Sequence, residues 1–444
     1  MMTVRQWAAG AALLVLATAS AGRVEAQQDT AELARLRRQM EALSREIEAL
    51  RLGADVMPVA DSSAHGLGPA ASKIYRLRQG VSIGGYGEVL YENFAKERQD
   101  DAPSTLRDQV DALRLIMYLG YRFTDRLLLN SEIEFEHAAT DQGGSVSVEF
   151  AYIDYLASAQ LGLRGGMLLV PMGFINELHE PPVFLGTTRP LTENAIIPTT
   201  WRENGFGIFG EAGDLTYRAY IVNGLDAIGG GPSRAGGFSA GGLRGGRQKG
   251  ARALIEDPAI VARLDYSPRT LLSGATVGAS VYRGNSGQGA RHTPAVGSAS
   301  DVDAATTIAE GHAQYRGHGF ELRGLYARAS VSDAERINAL RNLTGAASVG
   351  EELAGWYGQA GFDVMRLTNS TQELMPYVRY ERVNTQAAVP VGFQANAAND
   401  RTITSIGAQW KPILNIVLKA DYQVHSNGAN TGNNQFNVVL GYLF

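Results

Sequence analysis

Cysteine is absent from the 444 residues. That absence excludes a disulfide scaffold, a thiolate metal site, a cysteine nucleophile and a lipid-modified N-terminal cysteine. Lysine is scarce: of 40 basic residues only Lys73, Lys96, Lys249, Lys411 and Lys419 are lysines, and the rest are arginine. An excess of basic charge is also missing. The formal net charge is −5, which argues against a nucleic-acid surface and against nucleic acid as a partner. No stretch of the mature chain nears the roughly 18 consecutive apolar residues of a membrane-spanning helix, so helical spans are excluded. Glycine, by contrast, is abundant at 52 residues, and 18 tyrosines outnumber 4 tryptophans.

The N-terminus has the form of an export signal. Arg5 precedes an apolar run from Trp7 to Ala19, and Val24-Glu25-Ala26 is a small-x-small cleavage site, with Ala21 as the alternative. The run is too short for a stop-transfer helix and suits a signal h-region. Residues 1–26 are therefore read as a signal peptide. Over 27–52, Leu33, Leu36, Met40, Leu43, Ile47 and Leu50 form an a/d seam with Arg and Glu on the other faces. The spacing predicts a short coiled-coil helix. A lone helix of this length is marginal in water, so self-association is expected. Mixed Leu, Met and Ile at the seam leave dimer and trimer open. Residues 53–72 lose the period and carry Gly, Pro, Ser and Ala, which predicts a flexible linker.

From Lys73 onward the period becomes two. Leu414, Ile416, Leu418, Ala420, Tyr422 and Val424 alternate with Asn415, Val417, Lys419, Asp421 and Gln423. Leu127, Leu129, Ile133 and Phe135 alternate with Asn130, Glu132, Glu134 and Glu136. Segments of this kind fit membrane-spanning strands, although a soluble antiparallel sheet with one wet face gives the same local pattern.

Connection lengths decide between the two. About sixteen strands are predicted: 81–94, 110–123, 127–138, 146–156, 160–170, 203–211, 215–223, 259–267, 272–284, 305–316, 319–330, 354–366, 374–384, 402–411, 414–425 and 434–444. Short turns such as Thr124-Asp125-Arg126 and Ala212-Gly213-Asp214 alternate with long loops near 95–109, 171–202, 224–258 and 331–353. A sandwich has no reason for that alternation; an outer-membrane barrel does. An even strand count closes the ring and removes sheet edges. The predicted fold class is thus all-β: a transmembrane antiparallel barrel of about sixteen strands over 73–444. A ring of that size is too wide for wall side chains to fill, so an aqueous channel is expected.

Two stretches sharpen the reading. Phe436, Val438, Leu440, Tyr442 and terminal Phe444 resemble the C-terminal signature of bacterial porins. The stretch Gly165-Gly166-Met167-Leu168-Leu169-Val170-Pro171-Met172-Gly173-Phe174, continuing through Asn176-Glu177-Leu178-His179-Glu180-Pro181-Pro182, Arg189-Pro190, Ile197 to Gly205 and Val222-Asn223-Gly224, resembles the phosphate-selective porin O and P family. The resemblance implies a homotrimer of sixteen-strand barrels in the outer membrane. It implies a third long loop, here 171–202, folded into the pore, and a periplasmic coiled coil at the N-terminus.

The expected function is passive diffusion of small hydrophilic solutes, including inorganic anions such as phosphate. The competing class is a barrel serving as an adhesin or structural tether. Neither a cofactor nor an enzymatic activity is implied. Over 73–444 there are 33 Lys plus Arg against 37 Asp plus Glu, net −4, so a generally cationic lumen is not expected. Alternation turns Arg114, Arg218, Arg263, Arg323, Arg379 and Lys419 inward as candidate anion-binding residues. Arg189 and Arg202, with the acidic Glu177, Glu180, Glu193 and Glu203, are candidates at the constriction. Gly205-Phe206-Gly207-Ile208-Phe209-Gly210 matches a dinucleotide fingerprint, but no helix opens there. These glycines are expected in one strand facing the descending loop. Gly237-Phe238-Ser239-Ala240-Gly241 matches a hydrolase elbow; without a strand-to-helix turn it reads as part of an exposed, mobile loop over 229–246. His179-Glu180 lacks a second ligand at helical spacing, so no metal is expected.

Overall fold

The chain divides at Val56, into Met1–Val56 and Met57–Phe444. The computed structural model describes residues 39–40, 63–138, 143–294, 297–368 and 370–444. The signal peptide and the first part of the linker lie outside the described residues, as does the coiled coil apart from Gln39 and Met40.

In the second unit the alternating segments become β1 (Gly80–Phe94), β2 (Gln109–Arg122), β3 (Leu127–Glu136), β4 (Ser145–Leu156), β5 (Gly162–Leu169), β6 (Arg202–Ala212), β7 (Leu215–Asn223), β8 (Pro258–Tyr266) and β9 (Ala275–Asn285). A two-residue pair, β10 (Arg291–His292) and β11 (Ser300–Asp301), forms a small hairpin in the next loop. Then follow β12 (Ala305–Gly317), β13 (Phe320–Val331), β14 (Glu352–Phe362), β15 (Glu373–Ala388), β16 (Asp400–Ile413), β17 (Ile416–Asn427) and β18 (Gln435–Leu443). All except the hairpin form one closed antiparallel barrel of sixteen strands, each paired with its barrel neighbours in sequence. β1 closes the ring on β18, from Tyr86 opposite Leu443 to Phe94 opposite Gln435. Terminal Phe444 extends the seam: its amide donates to Gly85 O at 2.9 Å and its carbonyl accepts from Gly85 N at 3.0 Å. Strand count and positions match the sequence reading to within a few residues.

The distribution of side chains is inside-out. Along β8, Ile260 and Leu264 are 61% and 52% exposed on the outer face, whereas Arg263 and Asp265 retain 8% and 5% on the inner face. The same holds around the ring: Leu322 and Tyr326 face out beside buried Glu321 and Arg323, and Leu418 and Tyr422 face out beside buried Lys419 and Asp421. A period of two in a closed sheet produces this inversion directly, because successive side chains point to opposite faces. No described helix is long and apolar enough to cross a membrane, which leaves the barrel strands as the only apolar belt among the described residues. A bulge between β3 and β4, where Glu132 faces Phe150 and Ile133 faces Val148, leaves Glu149 as the extra residue. Both Glu149 and Phe150 are consequently buried inside.

The lumen differs from expectation. Wall side chains do not fill it, but folded segments do. The loop between β5 and β6, residues 170–201, descends into it and is almost wholly buried. The Gly-rich loop between β7 and β8 covers that loop. It was expected to be exposed and mobile, yet Phe238 and Leu243 are fully buried in it. Leu243 N donates to Ala195 O at 3.0 Å, and the Arg341 guanidinium, in the helix Ala334–Arg341, bonds the carbonyls of Ala227, Ile228 and Gly236. The end of the predicted linker also packs inside: Leu67, Ala70 and Ser72 are buried.

Candidate translocation path

Loop 170–201 is pinned at its neck by one side chain. Asn176 Nδ2 donates to Val170 O at 2.7 Å and Trp201 O at 2.9 Å, and its Oδ1 accepts from Trp201 N at 2.6 Å. With five prolines, at 171, 181, 182, 190 and 198, the intervening chain holds only two short helical turns, Pro181–Val183 and Thr192–Ala195. Its backbone groups therefore remain available, and charges on the wall satisfy them. Lys419 Nζ, on β17, donates to Phe184 O at 2.7 Å and Gly186 O at 3.0 Å, and lies 3.8 Å over the Phe184 ring. Arg379, on β15, donates to Thr188 O at 3.1 Å, and Arg316, on β12, to Val183 O at 2.7 Å. Arg263, on β8, donates to Gly173 O. Wall carboxylates take the amides: Glu381 accepts from Leu191 N at 2.9 Å and Thr192 N at 2.6 Å, and Asp421 accepts from Thr187 N at 2.9 Å. Peptide dipoles thus replace the water that these ions lose on burial.

The sequence-predicted cations all lie inside, and most are neutralised. Arg218 spans Glu177 at 2.8 Å and Asp265 at 2.7 Å. Arg263 also meets Asp265, at 2.8 Å. Arg202 meets Glu149 at 2.6 Å, and Arg114 lies 3.2 Å from Glu88 and 3.6 Å from Glu134. Arg323 lies 3.8 Å from Glu321 and over the Phe174 ring at 4.6 Å. The ladder of inward arginines is therefore largely an ion-pair lattice. No described carboxylate lies within salt-bridge distance of Arg189, Arg244, Arg247, Arg379, Arg401 or Lys419. Arg244 and Arg247 come from the covering loop and bond the Thr199 carbonyl; Arg247 also reaches Thr200 O at 2.7 Å. Burial, then the charge of Arg189, pushes the Arg244 guanidinium down to about 10. Burial, then Arg244, pushes Arg247 down to about 9. Burial and then Arg114 lower Arg189 as well. Like charges crowd together here, and the nearby carboxylates of Glu88, Glu134, Glu136, Glu149 and Glu203 offset the cost only in part.

The acidic candidates bind loop elements. Glu193 accepts from Ile175 N at 2.7 Å and from Tyr357 Oη at 2.5 Å. Glu203 accepts from Asn223 Nδ2 at 2.6 Å and Gln248 N at 2.9 Å. Glu180 accepts from the amides of Ala70, at 3.1 Å, and Ala71, at 3.2 Å. His179 is held between Asn176 O at 3.0 Å and Glu132 Oε1 at 3.2 Å. Burial pushes the His179 ring down to about 3, so it is neutral. Among the described residues no three metal-ligating side chains converge as a metal site. Gly205, Gly207 and Gly210 do lie in one strand, β6, but they pack on Val222, Tyr220 and the carbonyl of Gln160 rather than on the descending loop. At the short-turn end a cavity of about 400 Å³ remains, lined by Ser63, Val183, Gln314, Arg316 and Arg323 among others.

Glu149, Arg244 and Arg247 escaped sequence reasoning. The bulge that turns Glu149 inward leaves no mark in the period, and the two arginines sit in a Gly-rich stretch that looks unstructured. Phe238 and Leu243 within that stretch were the one available signal that it folds.

No family model matches the chain. A protein of Aquifex aeolicus (strain VF5), described as uncharacterized, is 38% identical over 399 residues, covering 88% of this chain and 86% of that protein. Among solved structures, OmpF of Salmonella typhi in complex with daunomycin superposes with a TM-score of 0.52 at 12% identity, over 83% of this chain and 98% of that one. The anion-selective porin from Comamonas acidovorans gives 0.52 at 10% identity, over 82% and 100%. The outer membrane channel DcaP of Acinetobacter baumannii gives 0.51 at 10% identity, over 82% and 97%. At these identities the likeness is one of fold: a porin-type barrel.

Proposed function

The chain belongs to one family with the Aquifex aeolicus protein, and from its inside-out barrel we propose that it is a bacterial outer-membrane porin, a passive channel for small hydrophilic solutes. The observation that carries this reading is the placement of charge. Buried ions line the inner face while large apolar side chains are exposed on the outer face. In water that arrangement would leave a broad greasy belt exposed; in a bilayer it is the stable one. The short-turn end is then periplasmic and the long loops extracellular.

The finer reading is a preference for anions, phosphate among them. Support comes from Arg189, Arg244, Arg379 and Arg401, inner or loop cations without a carboxylate partner, and from the resemblance of residues 165–224 to the phosphate-selective porins. Guanidinium groups suit bidentate oxyanion contact. Selectivity would reside in these residues rather than in the paired arginines 114, 218, 263 and 323. A homotrimer embedded in outer-membrane lipids, with a periplasmic N-terminal helix, belongs to the same reading.

The test is the reversal potential of the purified protein in a planar bilayer under a KCl gradient. The expected result is an anion-selective current, with Arg189→Ala shifting the reversal potential toward cations. A cation-selective current would remove the anion preference. No current at all would favour an adhesin or tether.

A further inference from the structure

Residues Ser63–Arg76 form a compact fold inside the short-turn opening, with Ala64 N donating to Ser72 Oγ at 2.9 Å and the His65 ring 4.5 Å from that of Tyr75. At one end, six residues, Ala71–Arg76, form a 3-10 turn against β1, β2 and β3. Asn130 Nδ2 donates to Ala71 O at 3.0 Å, and Lys73 Nζ donates to Ile83 O at 3.0 Å. Arg122 Nη1 donates to Tyr75 O at 2.9 Å. Tyr75 Oη donates to Asp154 Oδ2 on β4 at 2.6 Å and accepts from Arg164 Nη2 on β5 at 2.9 Å. In the middle, the His65 ring packs 5.2 Å from Phe209 on β6, and Gly66 lies against the Arg218–Glu177 pair. Ser63 borders the remaining cavity, whose other lining residues include Gln314, Arg316 and Arg323 on β12 and β13.

The fit is specific. Gly66 has φ +82°, and a Cβ there would collide with the Arg218 guanidinium, so both conformation and space demand glycine. Gly120 on β2 supplies the matching hollow: a Cβ there would press on the Ile74 side chain. The segment also closes on itself, with Ser72 Oγ donating to Leu67 O at 3.0 Å and accepting from Ala64 N at 2.9 Å. A flexible linker would have none of these features.

The tie at the centre is to the descending loop. The Glu180 carboxylate accepts both Ala70 N and Ala71 N, and Gly68 lies against the same carboxyl group. Strap and constriction loop are therefore joined by one side chain. We propose that Ser63–Arg76 is a built-in strap that closes the periplasmic end of the lumen, and that its release from Glu180 opens the path. This rests on the channel reading above.

The chain has no cysteine, so a single introduced thiol reports one position. Three quantities are measured on the full chain in proteoliposomes and planar bilayers. The first is the rate at which a bulky maleimide modifies Ser72→Cys, buried in the strap, against Ser370→Cys, exposed on a turn at the same end. The second is single-channel conductance with and without residues 27–72. The third is both readouts in Glu180→Ala, which keeps the test valid if the truncated chain fails to fold. Ser72→Cys is expected to react at least about tenfold more slowly than Ser370→Cys, as a site reached only by local opening does. Glu180→Ala, which removes the acceptor for both amides, is expected to narrow that gap and raise the conductance, and truncation to raise it further. Equal rates at the two thiols would overturn the strap, as would unchanged conductance on both truncation and Glu180→Ala. If neither full-length nor truncated protein conducts, the channel reading itself falls. That outcome is distinct from a conducting full-length protein whose current ignores the strap.

Discussion

Glu180 shows how much of the interior rests on single side chains. Its carboxyl group faces the amides of Ala70 and Ala71, the Tyr118 hydroxyl from β2 and Glu132 from β3. Glu132 in turn meets His179, which stays neutral. Burial pushes the Glu180 carboxyl up to about 7, against an opposing pull from the two amides. A group whose folded value is raised binds its proton more tightly in the seated state than in a solvated one. Seating is therefore strongest below the ordinary carboxyl value of 4.5 and weakens as pH rises toward 7. The modification rate of Ser72→Cys, divided by that of Ser370→Cys at the same pH so that the thiol's own ionisation cancels, should rise across that window and level off above it. In Glu180→Gln that ratio should stay at its low-pH value throughout; a ratio independent of pH with glutamate at 180 would mean that Glu180 does not hold the strap. Asn176 is a second such residue. Its three hydrogen bonds close the neck of the loop. At ~1 kcal/mol each, Asn176→Ala should cost the folded loop roughly 2–4 kcal/mol. The expected readout is faster proteolysis within 170–201 and noisier single-channel current, with the β-sheet circular dichroism unchanged.

At the scale of elements, legibility followed periodicity. The sixteen barrel strands were readable because a closed wall with apolar side chains on its outer face and ions on its inner face forces strict alternation. The alternation of short and long connections then fixed closure. Inward cations such as Arg218, Arg263 and Lys419 followed from the same period. Their partners did not, because each partner comes from a distant segment: Glu177 and the carbonyls of Phe184 and Gly186 belong to the descending loop. Two folded segments were invisible. Residues 63–72 and 229–246 are rich in glycine, alanine and serine, the composition of linkers, and their order comes wholly from tertiary contact. Glycine there serves close approach rather than freedom, as at Gly66. The covering loop offers a direct check. Phe238 and Leu243 are fully buried beneath it, so Phe238→Asp would bury an unpaired charge. It should release the loop from Ala195 and Thr199, measured as protease cleavage within 224–257 that the parent protein resists.

The whole molecule is inverted: charged side chains face inward, large apolar ones face outward, and the lumen is occupied by the chain's own loops. The barrel supplies a rigid wall with no free edge, and the loops supply the constriction. Charges on the wall hold those loops through peptide groups, so in the proposed channel passage would depend on how firmly the loops are held as well as on the ring's diameter. The most direct test is single-channel conductance of the purified protein compared with a variant lacking residues 175–198, the portion of the loop that hangs in the lumen. Small conductance steps in the parent and clearly larger ones in the deletion variant are expected. Equal steps in the two, or silence in both, would contradict a solute path running through a loop-filled barrel.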